Sequence, residues 1–324
     1  MTFIMRKIGV LTSGGDAPGM NAAVRAVTRY AINAGLKVVG FKKGYRGLLA
    51  CDYEELTERS VSDILHRGGT VLQTARCPEF KEEENVKKAV NIASALSIDG
   101  MVVIGGDGSF RGARDLSLNG LPTVGVPATI DNDIGCSDYS IGFDTALNTV
   151  KDAIDKIRDT ARSHERCSII EVMGRGAGYI AAYVAMACGA EAAIVPEQEY
   201  DFYEDIIKPI EKGRVRGKEH NLFVVAEGVG NSVDIAARIE KETGIATRAT
   251  ILGYIQRGGS PTVNDRIIAS RMGAHAVKLL CEGFGNRIVA MKDNQMVDYD
   301  IYEGLEMKKT MDPSFLELLE ILSM

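Results

Sequence analysis

No tryptophan occurs in this 324-residue chain, and aromatic side chains make up only 6% of it. Set against 35 glycines, that scarcity suits many tight turns and close backbone approaches, the composition of α/β proteins whose loops cradle ligands. The six cysteines (Cys51, Cys77, Cys136, Cys167, Cys188 and Cys281) are scattered, with no CxxC pair. That spacing argues against a disulfide framework or a zinc site, and reduced thiols in a cytoplasmic protein are expected. No stretch reaches the ~18 uninterrupted apolar residues that a membrane span requires. The opening MTFIMRKIGVL is too short an apolar run for export, so no membrane partner is expected. Nor is there a long basic run, and a formal net charge of −6 argues against a general nucleic-acid partner. Walker A is missing and the first glycine loop does not fit GxGxxG, which excludes a P-loop enzyme and leaves no sign of a Rossmann dehydrogenase.

What is present is ordinary globular material, 45% hydrophobic and 25% charged, enough for two sizeable cores. Short β-branched or apolar runs recur at 8–12, 38–41, 101–105, 123–126, 168–173, 192–195 and 222–226. Amphipathic stretches lie among them at 20–33, 86–96, 145–161, 203–212, 234–243 and 266–280. This alternation predicts mostly parallel sheets covered on both faces. The fold class is α/β, and two packed lobes of similar architecture with a cleft between them is the simplest arrangement, since no linker divides the chain. Ligands in such sheets bind at the carboxyl ends of strands, which directs attention to SGGDAPGMN, GGDGS, PATIDND, MGRGAGY and EGVG.

The first loop places Gly14 and Gly15 directly after a strand and Pro18-Gly19 just before a helix. Unpaired N–H groups and the positive dipole end there suit phosphate, although Gly-Gly-Asp is also an ordinary tight turn. In the second loop, Gly105, Gly106 and Gly108 let backbone press against a polyphosphate. Asp107 could hold Mg²⁺, which takes one or two carboxylates plus phosphate and water oxygens, or could merely cap a helix starting near Ser109. The third loop, residues 127–133, sets Asp131 and Asp133 two apart with Thr129 and Asn132 among them. A carboxylate beside a hydroxyl can take its proton during phosphoryl transfer; isolated loop aspartates are commonly just solvated. Arg76, Arg166, Arg175, Arg248 and Arg257 stand at strand ends or glycine turns, where guanidinium binds phosphate bidentately.

Taken in order, TSGGDAPGMN, RGGT with TARCPEF, GGDGS, PATIDND, SHER, VMGRGAG, AEG and GYIQRGGSP resemble the bacterial ATP-dependent 6-phosphofructokinases, from about Ile8 to Asp300. The resemblance implies two Rossmann-like three-layer lobes: residues 1–138 plus about 250–305 for ATP, and 139–249 plus about 306–324 for fructose 6-phosphate. It implies that Gly15, Tyr45, Arg76, Cys77, Gly106, Asp107, Gly108 and Ser109 surround ATP, with Mg²⁺ on Asp107. Acceptor positions are Thr129, Asp131, Met173, Gly174, Arg175, Glu227 and the stretch from Tyr254 to Arg257, with Arg166 and Arg248 reaching in from a neighbouring subunit of a homotetramer. Asp131 resembles the base, Thr129 and Asp133 its supports, Arg175 the stabiliser of charge on the moving group, and Gly15 belongs to the same catalytic set.

Pyrophosphate-using relatives carry Asp after GGD and Lys after the Pro of PATIDND; here those positions are Gly108 and Ala128, which favours ATP. A pyrophosphate-dependent phosphofructokinase and a non-catalytic sugar-phosphate sensor are the alternatives. Tyr254 stands where the family usually has His, and its hydroxyl can still donate one hydrogen bond. The family's effector site, for ADP or phosphoenolpyruvate, maps to Arg25, Arg29, Arg158, Glu191, Arg216 and Lys218. Glu58 and Glu219 stand where cations are often found, so weaker or altered regulation is expected.

Overall fold

A computed structural model describes residues 5–323; residues 1–4 and 324, the outermost ends of the two expected lobes, lie outside the described residues. Along the chain run β1 (Lys7–Thr12), α1 (Met20–Asn33), β2 (Lys37–Phe41), α2 (Gly44–Ala50), β3 (Tyr53–Leu56), α3 (Glu83–Ala95), β4 (Gly100–Gly105), α4 (Asp107–Leu118) and β5 (Thr123–Pro127). Then come α5 (Phe143–Ser163), β6 (Cys167–Val172), α6 (Tyr179–Cys188), β7 (Ala192–Ile194), α7 (Lys208–Val215), β8 (Asn221–Ala226), α8 (Ser232–Thr243) and β9 (Thr247–Ile251). The last elements are α9 (Val263–Cys281), β10 (Arg287–Lys292), β11 (Gln295–Asp300), α10 (Ile301–Glu306) and α11 (Pro313–Leu322). The chain forms two units, one of residues 1–129, 134–145 and 257–309, the other of 130–133, 146–256 and 310–324.

The first unit holds a seven-stranded sheet in the order β11-β10-β5-β4-β1-β2-β3. Its five inner strands are parallel, and β3 and β11 pair antiparallel at the edges. All six residues of β4, GMVVIG, are buried, as a parallel strand covered on both faces requires. Its core gathers Leu11, Phe41, Val103, Phe110 and Ile288; burying a Phe side chain fully contributes about 1.5–3 kcal/mol. The second unit has a four-stranded, all-parallel sheet, β7-β8-β6-β9, over a core that includes Ile169, Ile206, Phe223 and Ile239.

The expected parallel α/β class is observed. Unforeseen were β3 (YEEL) and β11 (QMVDYD), half-solvated edge strands with no apolar run to announce them, and also β9 (TRATI) and the buried inner strand β10 (RIVAMK). The expected helix at 203–212 is a π-helical turn, Tyr203–Ile207, leading into α7.

Candidate active site

In the first sheet the chain leaves β1 toward β2 on one side and reaches β4 on the other. Such a reversal opens a crevice at the carboxyl ends of the two strands. The Ser13 N–H donates to the Ile104 carbonyl at 2.9 Å, and the Ala128 N–H to the Gly105 carbonyl at 2.9 Å, so the SGGD, GGDG and PATID loops start side by side. Gly105 is required for this approach: a Cβ there would stand 2.4 Å from the Ser13 carbonyl oxygen and 2.5 Å from Ser109 Oγ. Gly14 turns at φ 90°, and a Cβ on Gly15 would lie 3.0 Å from the Arg257 guanidinium, which places Arg257 against the first loop. Thr129 borders the second, its Cβ 3.8 Å from where one on Gly106 would be.

Asp107 does not cap α4. Gly106 holds that position without a side-chain cap, and Asp107 is the first helical residue. Its carboxylate accepts from Arg111 Nε at 3.0 Å and remains half exposed. Among the described residues no cluster of three or more metal-ligating side chains occurs. The half-exposed Asp107 carboxylate fits an ion that takes one or two carboxylates plus phosphate and water oxygens, as Mg²⁺ does. Beside Gly108 no heavy atom comes within 4 Å of a would-be Cβ, leaving room next to that carboxylate. Tyr45 is buried rather than open: its hydroxyl donates to the Ser109 carbonyl at 2.5 Å, and its ring stacks on Phe80 at 4.1 Å. Burial pushes its phenol well above the ordinary range, so it supports the GGDGS loop as a neutral donor. Arg76 is exposed and Cys77 partly buried, on a segment tied to the first loop by the Thr74 hydroxyl donating to the Gly14 carbonyl at 2.7 Å. Burial, then the Glu79 charge, raise the Cys77 thiol, so it stays protonated.

In the second unit the ends of β6, β8 and β9 come together. The Glu227 N–H donates to the Val172 carbonyl at 2.8 Å and the Leu252 N–H to the Glu171 carbonyl at 3.1 Å. Asp131, only 3% exposed, lies 3.4 Å from Arg175 Nε; the solvated-loop reading fails for it, while Asp133 is exposed. Arg175 sits at φ 54° and Gly174 at φ 140°; a non-glycine residue there costs of order 1–3 kcal/mol unless its surroundings hold it. They do: one oxygen of Glu227 accepts from the Gly174 N–H at 3.2 Å and the Arg175 N–H at 2.8 Å. Met173, buried, donates its N–H to Gln256 at 3.2 Å. Tyr254 is 79% exposed on the helical turn Gly253–Arg257.

Arg166 and Arg248 are not brought to this end. Arg166 immediately precedes β6, and Arg248 pairs with Ser168 near the start of β9. A six-residue strand, about 20 Å at ~3.3 Å per residue, separates them from the MGR loop. Arg248 instead bonds Glu240 at 3.3 Å. The effector set divides too: Arg25 and Arg29 lie on α1 of the first unit, with Arg25 lowered by burial and by Arg29. In the second unit, Glu191, Arg216 and Lys218 line a 670 Å³ cavity that also touches Leu316 and Leu319 of α11. Buried Glu191 pairs with Lys218 at 2.8 Å and accepts from the Leu222 N–H. Arg158 donates to the Cys188 carbonyl.

Three supports escaped the sequence reading: Phe80, Ser140 and Asp265. Ser140 Oγ donates to the Thr129 carbonyl at 2.7 Å. Asp265, fully buried, accepts from the Gly142 and Thr145 N–H groups, each at 2.8 Å, and from the Thr145 hydroxyl. Burial outweighs these bonds and pushes its carboxyl up to about 6.

A family model described as Phosphofructokinase matches residues 7–280. The chain is 58% identical over 319 residues to the ATP-dependent 6-phosphofructokinase of Alkaliphilus metalliredigens, covering 98% of this chain and 100% of that one. Identity to the Bacillus subtilis enzyme of the same name is 56%, with the same shares covered. The structure of phosphofructokinase from Saccharomyces cerevisiae superposes with a TM-score of 0.88 at 32% identity; 93% of this chain is covered, and it spans only 45% of the yeast chain. A pyrophosphate-dependent phosphofructokinase from Marinobacter aquaeolei superposes at 0.87 with 19% identity, over 97% of this chain and 91% of that one, a likeness of fold alone.

Proposed function

Because the chain belongs to the phosphofructokinase family, we propose that it transfers the γ-phosphoryl group of ATP to the 1-hydroxyl of fructose 6-phosphate, giving fructose 1,6-bisphosphate and ADP. The observation that carries this reading is the buried Asp131 carboxylate beside the Arg175 guanidinium. A carboxylate held in such a place can accept the proton of a hydroxyl brought beside it.

Phosphoryl transfer asks a protein for positioning and for charge complementary to the transferring group rather than for covalent chemistry. Asp131 takes the proton of the sugar 1-hydroxyl as that oxygen attacks. Arg175, fixed in its left-handed conformation by Glu227, stabilises the equatorial oxygens. Gly15 and residues 106–109 bind the nucleotide phosphates through close backbone, and Thr129 and Asp133 support Asp131. Mg²⁺ held by Asp107, when bound, supplies charge neutralisation on the polyphosphate. The residues 1–129 unit is the ATP lobe and the residues 146–256 segment the sugar-phosphate lobe. Arg166 and Arg248, remote from Arg175 in their own chain, serve a neighbouring subunit's site, so an oligomer is the active form, and the family resemblance implies a homotetramer. The small Gly108, with open space beside it, and Ala128 suit ATP over pyrophosphate.

A steady-state assay of fructose 6-phosphate against ATP, GTP and pyrophosphate, with and without Mg²⁺, tests the reading. Turnover with ATP that needs Mg²⁺ is expected. Turnover with pyrophosphate alone overturns the donor, and binding of fructose 6-phosphate without turnover identifies a sensor.

A further inference from the structure

Three successive backbone N–H groups of the MGR loop, those of Met173, Gly174 and Arg175, end on protein side chains. They are therefore committed to shaping the loop instead of forming an open nest for phosphate. Two of them go to Glu227, already counted as a contact of the sugar phosphate. The third goes to Gln256, inside the stretch Tyr254 to Arg257 that the family resemblance implies for the sugar phosphate, but with its side chain turned into the protein. Gln256 is fully buried, and its amide is used at both ends. Its oxygen accepts from the Met173 N–H at 3.2 Å, and its nitrogen donates to the Gly253 carbonyl at 3.0 Å. The orientation of the amide follows from its partners, because an N–H can only be accepted and a carbonyl can only receive a donor. One side chain thus ties the loop after β6 to the turn that carries Tyr254, across 83 residues of sequence.

We propose that Gln256 is a positioning residue that sets the register between the MGR loop and the Gly253–Arg257 turn, and that through it the protein tunes affinity for fructose 6-phosphate without touching that ligand. The inference rests on the functional reading above for its kinetic readout, though not for its structural one. Methionine matches glutamine in length but can neither accept from Met173 nor donate to Gly253. Gln256→Met leaves the buried Met173 N–H and the partly buried Gly253 carbonyl unpaired, and a buried group so left costs about tenfold in the equilibrium it controls. Glutamate in its protonated form reproduces both bonds, since its carbonyl accepts and its O–H donates. The ionised form loses the donor and faces the Gly253 carbonyl with like charge. Burial favours the protonated form at the lower pH values.

The experiment measures KM for each substrate and kcat for parent, Gln256→Met and Gln256→Glu at pH 6 and pH 8.5, together with amide hydrogen exchange at residues 173–175. In Gln256→Met, KM for fructose 6-phosphate should rise about tenfold or more with KM for ATP within about twofold, and the Met173 amide should exchange faster. In Gln256→Glu, KM for fructose 6-phosphate should stay near the parent's at pH 6 and climb at pH 8.5 relative to the parent's own profile. Should Gln256→Met fail to fold, the two pH values of Gln256→Glu decide the matter alone. Parallel increases in both KM values, unchanged exchange at Met173, or a Gln256→Glu profile that tracks the parent would each overturn the inference. A parent that exchanges as expected yet never phosphorylates fructose 6-phosphate would overturn the functional reading while faster Met173 exchange in Gln256→Met still supports the tether.

Discussion

Protonating Asp265 offers a direct thermodynamic test of the network that ties α9 to Gly142 and Thr145. The carboxylate is fully buried and accepts from Gly142 and Thr145, yet its pKa rises from 3.8 to about 6 because desolvation outweighs those bonds. A folded-state value above the unfolded one means that the fold holds the proton more tightly. As pH rises from about 4 to about 6, the unfolded chain releases that proton first and stability falls; below about 4 both states are protonated and above about 6 both are ionised, so most of the change falls within that window. Displacing the carboxyl from 3.8 to about 6 corresponds to about 3 kcal/mol. Asp265→Asn cannot titrate, and its amide nitrogen must face one of the two backbone N–H donors, so it is less stable than the parent at low pH. The stability advantage of parent over variant, from urea unfolding followed by circular dichroism at pH 4, 5, 6 and 7, should shrink by about 2.4 kcal/mol between pH 4 and pH 7, the rest of the change falling below pH 4. Titrations common to both proteins cancel in the difference. An advantage that stays flat within about 1 kcal/mol, or that grows with pH, would refute the reasoning.

Asp131→Ser should lower kcat by about 10²- to 10⁴-fold with little change in KM, as loss of a proton acceptor does; retention of more than about a tenth of parental kcat counts against the base assignment. Gly105→Ala drives a Cβ to 2.4 Å from the Ser13 carbonyl oxygen, so the first two loops must separate. Its kcat/KM for ATP should drop at least about tenfold with about 1–3 kcal/mol lost in stability, and equal ATP kinetics in the two proteins would show that the loops need not touch. Glu219 is exposed close to Lys218 in sequence; Glu219→Lys should strengthen phosphoenolpyruvate inhibition, read as a lower half-inhibitory concentration, and equal inhibition of both proteins would contradict the proposed charge effect.

The sequence was most informative where physics is local. GMVVIG cannot be exposed, and it became the fully buried β4. Glycines after strand ends marked the loops that gather there, and Asp131 was selected by its motif before its burial was seen. Local reading failed where a residue's role depends on a distant partner. Asp265 meets Thr145 across 120 residues and Gln256 meets Met173 across 83, and nothing in IQRGG or VNDRIIAS announces either bond. The helix-cap alternative for Asp107 likewise could be settled only by seeing Gly106 in that place. Edge strands such as β3 and β11 were missed because one face meets water, which removes the apolar run that identifies inner strands.

By itself, then, the sequence determined the α/β class and the order of phosphate-suited loops, because hydrophobic period and turn chemistry act between neighbours along the chain; the family was legible only as a resemblance carried by the ordered motifs. Only the tertiary structure decided which carboxylate is buried and which exposed, which backbone N–H groups remain for a ligand, and which arginines stand too far along a strand to share their own subunit's loop. Those outcomes depend on solvent exclusion and on hydrogen bonds closed between remote segments, and neither exists until the sheet has assembled.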